Sequence, residues 1–239
     1  MLNIKNLFGK RVHKMGIADS KQFSRQSLDD IVQNQNKISN GEFKKGYDLI
    51  KKYPQSVSIL GSAVIKPEGE QYKKAEALAG RIARELKYAV VTGGGPGIME
   101  AANKGAFEAG GASIGFSIKL PNEQYNNAYL TDTVTFDYFF TRKTLLFCSA
   151  EAYIYFPGGF GTMDELFEVL TLMKTGKIPH VPVILVGHDF WQPLLDFIRK
   201  ELYEDQKTIS KEYLELYKIV DSEDEIIDII KKAPLRTDY

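Results

Sequence analysis

From Val57 onward the chain alternates short, continuously apolar runs with longer stretches of helical period, and this alternation limits the folds open to it. VSILGSA (57–63), YAVVTGGG (88–95), ASIGFSI (112–118), EAYIYF (151–156) and VPVILVG (181–187) have strand length and are largely apolar, and TVTFDYF (133–139) also reads as a strand. Strands covered on both faces have that pattern, whereas half-exposed antiparallel strands alternate. Between them lie amphipathic stretches. Residues 68–87 place Ala75, Leu78, Ile82 and Leu86 on one face, and 96–110 carry Pro96 in the first turn. Residues 140–150 and 189–202 are also helical in period, and 162–176 has a stripe of Met163, Leu166, Phe167, Leu170 and Met173. Tyr217 to Val220 reads as a last short strand, and Ser222 to Glu225 as a capping-box entry to a final helix. The expectation is an α/β fold, a doubly wound parallel sheet with helices on both faces.

The N-terminal part is different. Residues 1 to about 25 are polar and aperiodic. Residues 27–53 show weak helical spacing, through Leu28, Ile31 and Val32 and then Phe43, Tyr47 and Ile50, with Gly41 expected to break the helix in two. The chain therefore divides into a partly helical extension, 1–53, and a single domain, 54–239. Basic and acidic residues balance at 31 each, which argues against nucleic acid as a partner. One cysteine, Cys148, allows no internal disulfide and fits a reducing, cytoplasmic compartment. The N-terminus lacks the apolar core and cleavage site of a signal peptide, and no apolar run is long enough to span a membrane. His13, His180 and His188 are scattered, with no metal-ligand spacing, so neither a metal nor a cofactor is expected.

In a parallel sheet, ligands bind beyond the carboxyl ends of the strands. Three of the apolar runs end there in loops rich in glycine or serine: Gly61-Ser62, Gly93-Gly94-Gly95 and Gly158 to Thr162. A glycine loop that opens a helix exposes backbone N–H groups beside the positive end of the helix dipole, which makes an anion site suited to phosphate. Its other reading is a tight strand-to-helix turn. The loops lack the lysine of a P-loop and do not match G-x-G-x-x-G, so a dinucleotide fingerprint is poorly supported. Thr162 and Glu165 form T-x-x-E, a capping box in which Glu165 reaches back to its own helix start. The same carboxylate stands in a first turn that faces the ligand crevice. Asp164, about 100° around the helix, should point away. Glu100 holds the matching place after the other glycine loop.

PGGFGTMDE (157–165) matches the PGGxGTxxE motif of the LOG ("Lonely Guy") family, members of which are often labelled lysine decarboxylase-like. Phe139-Phe140-Thr141-Arg142-Lys143 resembles the family's Arg-Lys motif, and GGGPGIME (93–100) its first glycine loop. The similarity runs from about Val57 to Val186. The resemblance implies a Rossmann-like fold, usually dimeric or a higher homo-oligomer. It also implies a phosphoribohydrolase that cleaves the N-glycosidic bond of nucleoside 5′-monophosphates, such as AMP or cytokinin nucleotides, to free base and ribose 5-phosphate. By the same carry-over Glu165 and Arg142 form the catalytic pair, and Gly158, Gly159, Gly161 and Thr162 the phosphate loop. Gly94, Gly95 and Ser62 are further candidates for nucleotide binding. Ser62 can instead serve its own turn, Arg142 can be a surface helix arginine, and Lys143 reads as structural or as a rim charge. Tyr138, Phe139 and Phe140 either stack on a base or pack in the core. Two rivals remain at this point: a non-catalytic nucleotide or cofactor carrier on the same sheet, and a pyridoxal-phosphate decarboxylase, for which no lysine stands in a Schiff-base context.

Overall fold

Every strand pairs parallel to its neighbour. In the computed structural model, which describes residues 25–120 and 126–236, the seven strands are β1 (Ser56–Leu60), β2 (Ala89–Thr92), β3 (Ser113–Ile118), β4 (Asp132–Phe136), β5 (Ala152–Tyr155), β6 (Val183–Leu185) and β7 (Lys218–Ile219). They form one sheet in the order β4-β3-β2-β1-β5-β6-β7. The chain winds outward from β1 to β4, returns to lay β5 beside β1, and winds outward the other way. Val57 pairs with Ala152 and Leu60 with Tyr155 across that junction. This is the doubly wound, Rossmann-like arrangement, and its switch point opens a crevice at the carboxyl ends of β1 and β5.

The helices are α1 (Arg25–Lys52), α2 (Glu70–Arg81), α3 (Ile98–Glu108), α4 (Phe139–Cys148), α5 (Phe160–Lys174), α6 (His188–Phe197) and α7 (Glu223–Lys232). Continuously apolar strands split their side chains between two faces with period two. Val57, Ile59, Val90, Ile154 and Ile184 pack with α2, α3 and α7 on one side. Leu60, Val91, Tyr153, Tyr155 and Leu185 pack with α4, α5, Trp191 and the C-terminal turns of α1 on the other. No helix among the described residues is long and apolar enough to cross a membrane.

Two compact units divide at Ile38/Ser39, within α1. In the first, Leu28, Ile31 and Val32 are exposed. The reading of the first 24 residues lies outside the described ones. Gly41 does not break α1. A glycine in a helix interior costs only about 1 kcal/mol, which the packing of the following turns outweighs. Those turns bury Ile50 and seat Gly46 against Leu145, where an added Cβ would lie 2.2 Å from Leu145 Cδ1. Pro96 precedes α3 rather than sitting in its first turn, because Gly97 at φ +71° forms the cap. Ser222 caps α7 as expected, accepting from the Glu225 N–H.

Candidate active site

Backbone hydrogen bonds knit the ends of β1, β2 and β5 into one surface. The Ser62 N–H donates to Pro157 O (3.0 Å), and the Ile98 N–H donates to Ser62 O (2.9 Å). Gly97 lies so close that a Cβ there would meet Ser62 O at 2.3 Å. The Ser62 hydroxyl accepts from the Val64 N–H (3.2 Å), so its turn role is realised. Ser62 thereby links the two glycine loops.

The first loop is shaped from below by two side-chain amides, one buried and one partly buried, that sequence reasoning missed. Asn103, fully buried in α3, accepts at Oδ1 from Thr92 Oγ1 (2.6 Å) and from Asn127 Nδ2 (2.9 Å), and it donates to Ser113 Oγ (2.9 Å). Asn127 grips the loop directly. Its N–H donates to Gly94 O (2.9 Å) and its Nδ2 to Gly95 O (3.0 Å). Thr92 Oγ1 accepts from the Gly94 N–H (2.9 Å). A buried polar network fixes one geometry because each unmade bond is costly. The signal was an amide inside the small-residue helix IMEAANKGA, which the apolar pattern does not weigh.

The second loop is bare. An added Cβ at Gly159 or Gly161 would meet nothing within 4 Å, whereas one at Gly158 would collide with the Thr162 side chain. Helix α5 begins at Phe160, three residues earlier than the T-x-x-E box requires, with Gly159 as its cap and no side-chain cap. The capping box is therefore not formed. Thr162 is buried beneath the loop at 5% exposure. The first intrahelical bond runs from the Met163 N–H to Gly159 O (3.0 Å). The N–H groups of Phe160, Gly161 and Thr162 precede it at the positive end of the helix dipole.

With the capping role gone, Glu165 turns inward. Its Oε1 lies 3.7 Å from Arg142 Nη1, and the two side chains are 15% and 11% exposed. That is an ion-pair distance, too long for a hydrogen bond. Arg142 is not a surface helix residue. It is anchored by a bond from Nε to Phe116 O (2.6 Å), and its Nη2 lies over Gly93, where a Cβ would come within 2.4 Å. The arginine thus spans from β3 past the first glycine loop to the helix that carries the second. Burial raises the Glu165 pKa to about 7; Arg142 and Lys143 oppose the rise, and Asp164 and Glu168 add to it. Burial also lowers the Arg142 pKa, against the pull of Glu165. Both shifts have the same origin: each charge has lost water, and a pair held 3.7 Å apart restores only part of that loss. The Tyr155 hydroxyl donates to Glu165 O (3.2 Å) and ties the helix turn to β5.

The neighbours divide as their positions require. Lys143 bridges Asp164 (2.6 Å) and Glu168, a structural clamp between α4 and α5. Asp164 points outward at 63% side-chain exposure. Glu100 accepts from the Tyr72 hydroxyl (3.0 Å). Phe139 and Phe140 are half exposed and so are not core, and Tyr138 stacks on Phe140 at 5.6 Å. Phe160, at the tip of the bare loop, is 96% exposed. A groove of about 430 Å³ between α2 and α3, lined by Lys73, Glu76 and Arg84 among others, contains none of the candidate residues. The candidate site is the crevice above the strand ends.

Comparison with known proteins agrees with the motif and the fold. The chain is 30% identical over 156 residues to a cytokinin riboside 5′-monophosphate phosphoribohydrolase of Rhodococcoides fascians, covering 63% of this chain and 77% of that protein. It is 32% identical over 117 residues to one from Arabidopsis thaliana, covering 48% of this chain and 54% of that one. Among solved structures, the molybdenum cofactor carrier protein of Chlamydomonas reinhardtii superposes with a TM-score of 0.54 at 22% identity, covering 75% of this chain and 97% of that one. The molybdenum cofactor binding protein of Rippkaea orientalis does so with a TM-score of 0.52 at 21% identity, covering 74% and 94%. At those identities the likeness concerns the fold alone. A family model described as "possible lysine decarboxylase" matches residues 99–230, starting later than the expected Val57 and running past Val186. That match covers more than half of the 239 residues and includes the Arg142 and Glu165 motifs; the chain belongs to the LOG family.

Proposed function

We propose that the protein is a phosphoribohydrolase that hydrolyses the N-glycosidic bond of nucleoside 5′-monophosphates, AMP or N6-modified AMP of the cytokinin type, to free base and ribose 5-phosphate. The observation that carries this reading is the pairing of buried Arg142 with the mostly covered Glu165 at the foot of a glycine loop with open space before it. The loop of Gly158, Gly159, Gly161 and Thr162 takes the 5′-phosphate on its N–H groups. Gly94, Gly95 and Ser62 line the facing wall. A phosphate held there brings the ribose to Glu165.

Cleavage of the C1′–N bond builds positive charge on the sugar, as in glycoside hydrolysis. The Glu165 carboxylate stabilises that charge and orients the attacking water. Water supplies hydroxyl to C1′ and a proton to the departing base. Arg142 keeps the carboxylate in place and presents planar donors to the phosphate or the base. Relatives named for the cytokinin nucleotide support this substrate class. A homodimer or higher oligomer in the cytoplasm belongs to the same reading.

The test is to incubate the purified protein with AMP, GMP, CMP and N6-isopentenyl AMP and to separate the products by liquid chromatography. Free base with an equal amount of ribose 5-phosphate supports the hydrolase and ranks its substrates. Binding without release from any of them moves the assignment to a carrier on the same loops.

A further inference from the structure

The helix that carries Arg142 has no cap of its own. Helix α4 starts after Tyr138, which offers no side-chain cap, and has no acidic residue in its first turn. A carboxylate is nevertheless present there, supplied from α1. Glu42 is 6% exposed, accepts from the Asp137 N–H at Oε1, and accepts from the Thr141 hydroxyl at Oε2. These two donors bracket Tyr138, whose carbonyl receives the Arg142 N–H (3.3 Å), the bond that opens the helix. A buried carboxylate is costly unless its lone pairs are met. Here they are met by the two groups that set where α4 begins, with the helix dipole adding its share.

The chain that follows Glu42 is fixed around this contact. Gly46 admits Leu145 of α4 at a distance no larger residue allows. Lys52 and Tyr53 bind Asp132 at the start of β4 (2.6 and 2.5 Å). Arg142 follows Thr141 directly, so any slip in the first turn of α4 is passed to the guanidinium and to its 3.7 Å approach to Glu165. Residue 42 also lies outside the span matched by the family model.

We infer that Glu42 is a positioning residue: it acts through α4 to hold Arg142 against Glu165, and so makes the C-terminal turns of α1 a working part of the site. The inference deepens the phosphoribohydrolase reading and rests on it for its kinetic arm. A spectroscopic arm does not.

Glu42→Leu fills similar space and removes both acceptors, while Glu42→Gln keeps an acceptor for the Asp137 N–H. The readouts are kcat and KM on AMP well below the unfolding temperature, and the Arg142 Nε–H resonance, assigned by its loss in Arg142→Lys. The expected result for Glu42→Leu is a fall in kcat of about 10-fold or more with a smaller change in KM, since misplacements of about 1 Å reach about 100-fold. The Nε–H resonance shifts, and Glu42→Gln restores both to near wild-type values. If Glu42→Leu lowers thermal stability but leaves kcat and the resonance unchanged, Glu42 is only a stabilising cap and the inference falls. Should Glu42→Leu fail to fold, Thr141→Val removes one donor and is judged by the same readouts. If the wild-type protein releases no base from any nucleotide, the functional reading fails, but the resonance still decides. A shift in Glu42→Leu that Glu42→Gln reverses supports positioning, and an unmoved resonance overturns it.

Discussion

Glu165 holds its proton far more tightly than an exposed glutamate does, with a pKa near 7 against the ordinary 4.5, because burial removes its water. A group that must act as a carboxylate is then ready only above that value. The expected profile of kcat/KM on AMP rises with pH and bends near 7, and a rate flat down to about pH 5 would remove Glu165 from the role. Glu165 was legible in the sequence as a residue but not in its setting. T-x-x-E reads as a capping box, and only the earlier start of α5 at Phe160 frees the carboxylate to face Arg142. Arg142 was legible only through its motif, because nothing in the spacing of 139–148 announces that an arginine will be buried on Phe116 O.

At the scale of elements, the glycine loops differ in kind. The loop at Gly158 to Gly161 is open outward, as the phosphate reading requires. The loop at Gly93 to Gly95 is closed from behind by Arg142, Met99 and the Asn103–Asn127 network. Gly93→Ala would push a methyl group to 2.4 Å from Arg142 Nη2 and 2.7 Å from Met99 Sδ. Both are ends of side chains, so the fold should survive while the guanidinium moves. The expected outcome is an unchanged far-ultraviolet circular dichroism spectrum and a loss of kcat/KM of about 10-fold or more. Wild-type kinetics in that variant would mean that Arg142 does not need its place over the loop. The order of strands and helices from β1 onward was readable because strand-length apolar runs alternate with stretches of helical period. Helix α1 was misjudged at Gly41, since local propensity says nothing of the packing of Ile50 and Gly46 that carries the helix through. Glu42 was unreadable for a related reason: its partners lie about a hundred residues away, on Asp137 and Thr141.

Over the whole molecule the sheet order matters most. A parallel sheet wound outward from β1 in both directions leaves one crevice at the junction with β5, and the motif residues gather there from β1, β2, α4 and α5. The alternation of elements made that crevice predictable; which side chains turn into it depended on loop geometry that only the folded chain defines. The arrangement has a stability consequence. The native state binds more protons than the unfolded chain between the unfolded Glu165 pKa of 4.5 and the folded value of about 7. The contribution of this group is therefore fully present below the lower value and is lost as pH rises through the upper one, by on the order of 3 kcal/mol. Denaturant unfolding at about pH 5 and about pH 8 should show Glu165→Gln gaining on the wild type as pH rises. A difference that stays constant across that window would mean that the native site does not raise the Glu165 pKa.

In the proposed reaction Glu165 performs N-glycosidic hydrolysis on a nucleotide held by the loop before it. The most direct measurement is a proton NMR time course of AMP with the wild-type protein and with Glu165→Gln, followed at the anomeric H1′ and adenine H2 and H8 signals. The expected result is conversion to adenine and ribose 5-phosphate in equal amounts by the wild type, and a rate lower by about 100-fold or more in the variant, whose affinity for AMP is retained. AMP left intact by the wild type, or turned over by Glu165→Gln at the wild-type rate, would contradict it.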